Sequence, residues 1–259
     1  MKFCSLMSGS SGNCLYIEDN NTALLIDCGL SGKAVADSLN MLSLSMDKIN
    51  GILVTHEHID HSKGLGVLAR KYKLPIYISK STYCSLPTSV GEIPENRLNF
   101  ISNKDFSIGD FKITPFSTSH DASDPHGFKI VGTKSAYIVT DTGTITNTMS
   151  EFALNSDFAF IESNHDLYML SHGSYPQELK ARILSDIGHL PNKEAAEFSV
   201  WLASKGTTHI MLGHISDDNN TEELAKKETE NALILAGFSD VAKNVYTASK
   251  HFPTKIIEF

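Results

Sequence analysis

The chain has 259 residues, 41% apolar and 20% charged, which excludes a disordered tail and allows a core that needs no disulfide staples. With 22 Lys and Arg against 30 Asp and Glu the formal charge is −8, which excludes bulk-charge coating of nucleic acid and leaves open only a local basic groove. Eleven histidines stand beside one Trp and four Cys, and imidazole is the commonest metal ligand.

In chain order, apolar and β-branched runs punctuated by Gly, Ser and Asn predict strands over 2–6, 14–18, 23–27 and 51–55, with helices over 33–41 and 61–72 among them. After Pro75 a strand is expected over 76–79, then a β-rich stretch over 100–140 whose IGD turn near Gly109 marks a hairpin. Past Asp141 helices are expected over 147–154, 176–185, 192–204 and 221–236, with strands over 158–162 and 209–212 and two closing strands. Asn192 reads as the cap of its helix. No linker, repeat or like-charge block divides the chain, so one domain over 1–259 is expected, a layered α/β architecture on two sheets. No signal peptide and no membrane span is read in the sequence. Cys4, Cys14, Cys28 and Cys84 form no C-x-x-C and read as reduced, buried residues of a cytoplasmic protein.

The segment GILVTHEHIDHSKG runs a buried strand into His56-Glu57-His58-Ile59-Asp60-His61. In an extended chain side chains two apart point the same way, so His56 and His58 can grip one ion. Asp60 and His61 then turn onto a helix and can face a second. Each such ion wants about three protein donors and an open position, so more donors must come from elsewhere. His120 in FSTSHDAS, Asp141 in YIVTDTG and His214 in IMLGHIS each end a predicted strand, and strand ends converge on one sheet edge. The expectation is His56, His58 and His120 on one divalent cation, Asp60, His61 and His214 on another, and Asp141 shared. Taken alone, His120 and His214 would read as hydrogen-bonded structural residues and Asp141 as a turn former; the hexapeptide decides otherwise. Asp27 in LLIDCG reads as a carboxylate orienting a ligand histidine, against a plain turn former. Glu57 is expected to face solvent. Such donors suit Zn²⁺ or Mn²⁺, with Fe²⁺ also compatible.

Asp27, the H-x-H-x-D-H string, His120, Asp141 and His214 together resemble the metallo-β-lactamase fold hydrolases, over essentially the whole chain. The resemblance implies an αβ/βα sandwich of two mixed sheets with helices outside and metals at one edge. SGSSGN at 8–13, ESNHD at 162–166, GSYPQELKARI at 173–183 and GHLPN at 188–192 are similar to the small YycJ/WalJ-type proteins of that superfamily, regarded as metal-dependent 5′ to 3′ exonucleases on DNA. Pro191 departs from the Ser expected there. The resemblance also implies that His189, partnered by Glu162, supplies a proton to the leaving oxygen; the competing reading is a polar residue before a helix. Only 73 positions separate Asp141 from His214, too few for a large inserted domain.

Two neighbouring cations lower the pKa of a bridging water and clamp an in-line phosphodiester displacement. Hydroxide is then the expected nucleophile, with Asp60 orienting it and receiving its proton. The 8–13 loop, with Ser10 and Asn13, is either a phosphate nest or a tight turn. Asn164 and His165 either contact phosphate or stabilise a corner. Lys63, Arg70, Lys71 and Lys73 either line a nucleic-acid groove or form a solvated helix face. The same ligand set also serves thioester, lactone and cyclic-nucleotide hydrolysis. A di-iron oxidoreductase is disfavoured by His58, where that version carries Glu, and a non-catalytic scaffold by the full donor set.

Overall fold

Short apolar runs become strands here because large and β-branched side chains pack on a pleated surface covered on both faces. In the computed structural model, which describes residues 1–259, the first sheet opens with an antiparallel meander: β1 (Lys2–Met7), β2 (Cys14–Asp19) and β3 (Thr22–Ile26). Helix α1 (Gly32–Met41) then crosses to the parallel strand β4 (Ile49–Leu53). α2 (Ile59–Ser62) and α3 (Leu65–Lys71) lead to β5 (Ile76–Ser79), and α4 (Lys80–Cys84) to β6 (Leu98–Ile101), both parallel to their neighbours.

The second sheet repeats the plan. β7 (Phe106–Ile108), β8 (Phe111–Ser117), β9 (His126–Val131) and β10 (Ser135–Ile138) run antiparallel. α5 (Asn147–Ala153) precedes β11 (Phe158–Glu162), parallel to β10. α6 (Leu167–His172), α7 (Gln177–Ile183) and α8 (Asn192–Ser204) precede β12 (His209–Gly213), and α9 (Glu222–Leu235) and α10 (Ser239–Ala242) precede β13 (Val245–Thr247), again parallel. β14 (Ile257–Glu258) returns to pair with β1. The orders are β14-β1-β2-β3-β4-β5-β6 and β13-β12-β11-β10-β9-β8-β7, two mixed seven-stranded sheets.

Three buried clusters hold the layers. Phe3, Leu24 and Ile26 of the first sheet meet Ile130, Phe158 and Phe160 of the second between the sheets. Val35 and Leu39 of α1 and Leu65 and Leu68 of α3 cover the outer face of the first sheet. Met149 of α5, Phe198 and Leu202 of α8 and Leu233 of α9 cover the second. The expected four-layer sandwich with helices outside is the observed one, and no helix is long and apolar enough to cross a membrane.

Several local expectations need correction. The single helix expected over 61–72 is broken between α2 and α3, because the Gly64 N–H donates to the Cys28 carbonyl at 2.7 Å. A Cβ on Gly64 would lie 2.4 Å from the Leu30 oxygen. α6 was not expected; its LYMLSH buries only Leu170, too little pattern to read. Asn192 is no cap: Pro191 holds that position, and the Asn192 amide bonds Ser163 and Asn220 in the interior. Cys84 is exposed, whereas the other three thiols are buried and all four are unbridged. Glu57 accepts from the N–H and hydroxyl of Ser123 and so pins a neighbouring loop.

Candidate metal centre and its walls

The parallel strands of both sheets deliver their C-terminal ends to one edge of the sandwich. Asp27 follows β3, Thr55 and His56 follow β4, Asp141 follows β10, Glu162 ends β11 and His214 follows β12. Asp27, Asp141 and His214 all take left-handed φ values, 60°, 49° and 52°. Such backbone is uncommon outside glycine and clusters at functional turns; here it bends the chain sharply as it leaves each strand.

His56, His58 and His120 form a triangle with ring centroids 4.6, 5.1 and 5.1 Å apart. Asp60, His61 and His214 form a second donor group beside it. Asp141 sits between them, its Oδ2 at 2.6 Å from His61 Nε2 and 3.3 Å from His56 Nε2, its Oδ1 at 2.8 Å from His214 Nδ1. All seven residues expected as ligands therefore lie together, with His56, His61, His120, Asp141 and His214 buried.

The tautomers are dictated by what stands behind each ring. His61 Nδ1 donates to Asp27 Oδ2 at 2.7 Å, and Asp27 in turn accepts from the N–H and hydroxyl of Thr55. The Thr55 hydroxyl, having donated to Asp27, accepts from His56 Nδ1 at 2.9 Å. His120 Nδ1 donates to the Gly188 carbonyl, and His214 Nδ1 to Glu162. Each Nε2 is left facing inward, toward the other donors. Those of His56, His120 and His214 are buried with no hydrogen-bond partner. Buried polar atoms are ordinarily satisfied, so three converging orphans beside ionised carboxylates fit divalent cations.

Electrostatics agree. Burial first, and the neighbouring His61 next, hold His56 well below its usual range, so it is neutral and able to ligate. Burial works against the charged forms of Asp141, His61 and His214 alike, but their mutual attraction outweighs it: the carboxyl is held well below its usual range and the two imidazoles well above theirs, so each of those rings carries a proton that a cation would displace. Rings and carboxylates that each perturb the others in this way are the mark of a site suited to hold positive charge.

On one wall, Glu162 is fully buried and accepts from three donors: His189 Nδ1 at 2.7 Å, His214 Nδ1 at 2.8 Å and the Thr142 N–H at 2.9 Å. Burial opposes its charge, yet His189 and His214 bring its pKa down to about 2. Burial likewise works against the imidazolium of His189, and the Glu162 carboxylate reverses that, raising its pKa. His189 lies 5.3 Å from the His120 ring and 5.0 Å from the His214 ring.

The loop residues fall into two kinds. Asn13 is buried and its amide is taken up by Gly9, Ser8, Asp60 and His61, so it faces the donor set and not the open mouth. Ser10 is exposed and, with Asn164, Tyr175, Arg182, His189 and His214, lines a cavity of about 230 Å³ over the centre. Asn164 also donates to the His214 carbonyl. His165 is buried behind it with both ring nitrogens unpartnered. Two positioning residues were missed: Thr55, whose place directly before the His string was the available signal, and Ser8, whose hydroxyl accepts from the His214 N–H at 2.9 Å.

Comparison with known proteins gives a consistent answer. Residues 22–215 match the β-lactamase superfamily domain. The chain is 40% identical to a protein of Bacillus anthracis named exodeoxyribonuclease YycJ, covering 99% of this chain and 98% of that one. It is 38% identical to a protein of Streptococcus pneumoniae named exodeoxyribonuclease WalJ, covering 99% and 97%. Among solved structures, the metallo-β-lactamase fold protein YhfI from Bacillus subtilis superposes with a TM-score of 0.71 at 18% identity, covering 98% and 99%. Human tRNase Z, short form, superposes at 0.64 and 17%, covering both chains fully. A domain match over three quarters of the residues, on two mixed sheets that gather His and Asp at one edge, means that this chain belongs to the β-lactamase superfamily.

Proposed function

We propose that the chain is a metal-dependent phosphodiesterase, a 5′ to 3′ exonuclease acting on DNA, working as a single domain over 1–259 in the cytoplasm. The likeness over nearly the full length to relatives named exodeoxyribonucleases carries this reading, because the superfamily fold alone does not choose a reaction. The geometry supplies suitable machinery. His56, His58 and His120 would hold one cation, Asp60, His61 and His214 another, with Asp141 shared; Zn²⁺ or Mn²⁺ suits these donors. Such a pair acidifies water and offsets charge on phosphate oxygens.

The remaining work falls to the chain's own groups. Asp60, partly exposed beside His61 and His214, orients the attacking water and takes its proton. His189, held and charged by Glu162, gives a proton to the departing oxygen. Ser10 and Asn164 line the mouth where the phosphate enters. The test is metal analysis of the purified protein, followed by incubation with 5′-labelled DNA and RNA under Mn²⁺ or Zn²⁺. Stepwise release of nucleotides from the 5′ end of DNA is expected. Cleavage of a small thioester or cyclic nucleotide, with both nucleic acids untouched, would replace this reading.

A further inference from the structure

α7 forms part of the roof over the donor set. Leu179, Arg182 and Ile183, spaced i, i+3 and i+4, share one face of that helix and line the cavity of about 230 Å³ over the centre. In a chain of formal charge −8 the wall of this cavity is inverted: it carries the Arg182 guanidinium and the imidazoles of His189 and His214, and no carboxylate. Arg182 is fixed from behind. Its Nε donates to Asp121 Oδ2 at 2.7 Å, and its Nη2 lies 2.5 Å from the same oxygen. The other oxygen of Asp121 is buried, 3.4 Å from His120 Nε2, so one carboxylate separates the guanidinium from the donor set. The loop that follows α7 is latched to the same segment, because the Asp121 N–H donates to the Ile187 carbonyl at 3.2 Å and His120 Nδ1 to that of Gly188. Nη1 has no acceptor in the chain, and the Arg182 side chain stays 59% exposed.

We propose that Arg182 grips a phosphodiester group of the substrate strand, a neighbour of the one that sits at the donor set. The proposal rests on the nuclease reading above. A planar guanidinium held along one edge and open along the other matches two oxygens of a phosphate. A chain of this net charge repels a polyanion as a whole, so a strand stays over the centre only where a local cation offsets that repulsion. Arg182 is the cavity's one Lys or Arg side chain. Because Asp121 already fixes its orientation, little side-chain freedom is lost when the phosphate arrives.

The test is fluorescence anisotropy of a 3′-labelled, phosphorothioate-linked single-stranded DNA oligonucleotide on the metal-loaded protein, at a series of salt concentrations. Arg182→Gln should weaken binding about tenfold, as expected for a lost charge-assisted hydrogen bond. It should also flatten the slope of log affinity against log salt by about 0.7, the counterion share of one single-strand phosphate. Arg182→Lys should keep the wild-type slope and recover only part of the affinity, because the ammonium retains the charge and loses the fork. Bound metal should be equal in all three proteins. A wild-type slope in Arg182→Gln overturns the contact. Equal flattening in both variants does so too, since it would trace the loss to the broken tie with Asp121, and so does metal lost from Arg182→Gln. Hydrolysis of ordinary DNA is measured in parallel. Its absence, with the slope flattened as expected, would sink the nuclease reading and leave the contact standing, while hydrolysis with an unaltered slope would do the reverse.

Discussion

Thr55 touches no cation site directly, yet its hydroxyl joins Asp27 to His56 within 2.9 Å on both sides. Thr55→Val keeps the shape and removes that link, leaving His56 Nδ1 without its acceptor and the ring free to turn. Metal affinity should fall about 10- to 100-fold, as for other residues behind ligand histidines, with little change in the circular-dichroism spectrum. Competition with a chromophoric chelator would measure it; unchanged affinity would show that packing alone holds His56. Asp141 and His189 should separate cleanly. Asp141→Ala removes the carboxylate between the two donor groups, so bound metal and turnover should vanish together. His189→Ala should retain metal and slow turnover about 10²- to 10⁴-fold, the usual worth of a positioned acid. If His189→Ala lost metal equally, His189 would be a ligand. His165 carries a pH prediction. Its folded pKa of about 4 lies below the ordinary 6.5, so the unfolded chain binds the proton more readily. The stability from keeping it neutral is fully present above about 6.5 and is lost as pH falls toward 4. Urea melts of the metal-free wild type and His165→Gln should therefore converge in that window, and parallel curves would refute it.

Between the two sheets' strand ends, the elements place residues through backbone contacts that spacing does not reveal. Gly29 shows the scale of this: a Cβ there would fall 1.5 Å from the Asp60 carbonyl oxygen, and the Asp60 carbonyl accepts from the Asn13 N–H at 2.7 Å. Gly29→Ala must push the start of α2 away from the 8–13 loop. A cost of about 2 kcal/mol is expected for such crowding, a drop of about 4–8 °C in Tm for a chain this long, together with weakened metal retention because Asp60 and His61 move. Calorimetry that finds the wild-type Tm would mean that the loop yields freely. The same contacts explain what was legible. The strands and the long helices were readable because their apolar periods are local, and the H-x-H-x-D-H string because its donors are adjacent. Asp27, His120, Asp141 and His214 were readable as strand-end residues. The break at Gly64, the interior role of Asn192 and the hydroxyl link through Thr55 were not, since each depends on a partner from a distant segment. The His189–Glu162 pair was foreseen only through likeness to a family, for 27 positions separate the two and no periodicity joins them.

At the scale of the whole molecule, the donors divide between the halves. His56, His58, Asp60 and His61 follow β4 of the first sheet, while His120, Asp141 and His214 follow strands of the second. The sheets also share one buried layer, in which Phe3 packs on Phe158 at 4.4 Å and on Phe160 at 5.9 Å. An unfolded chain cannot hold donors this dispersed at such spacing, so cations bind the native state preferentially and stabilise it by mass action. At a free metal concentration of about 100 times Kd, one site contributes about 2.7 kcal/mol, which corresponds to about 5–10 °C in Tm at this chain length. Chelation of the purified protein should lower Tm by at least that amount, and restoring Zn²⁺ or Mn²⁺ should recover it. Because the inter-sheet layer is made of apolar side chains and contains none of the cation donors, the chelated protein should still unfold in one calorimetric transition. Two separate transitions after chelation would mean that the cations, and not the Phe-rich layer, hold the halves together, and would divide the chain into two folding units.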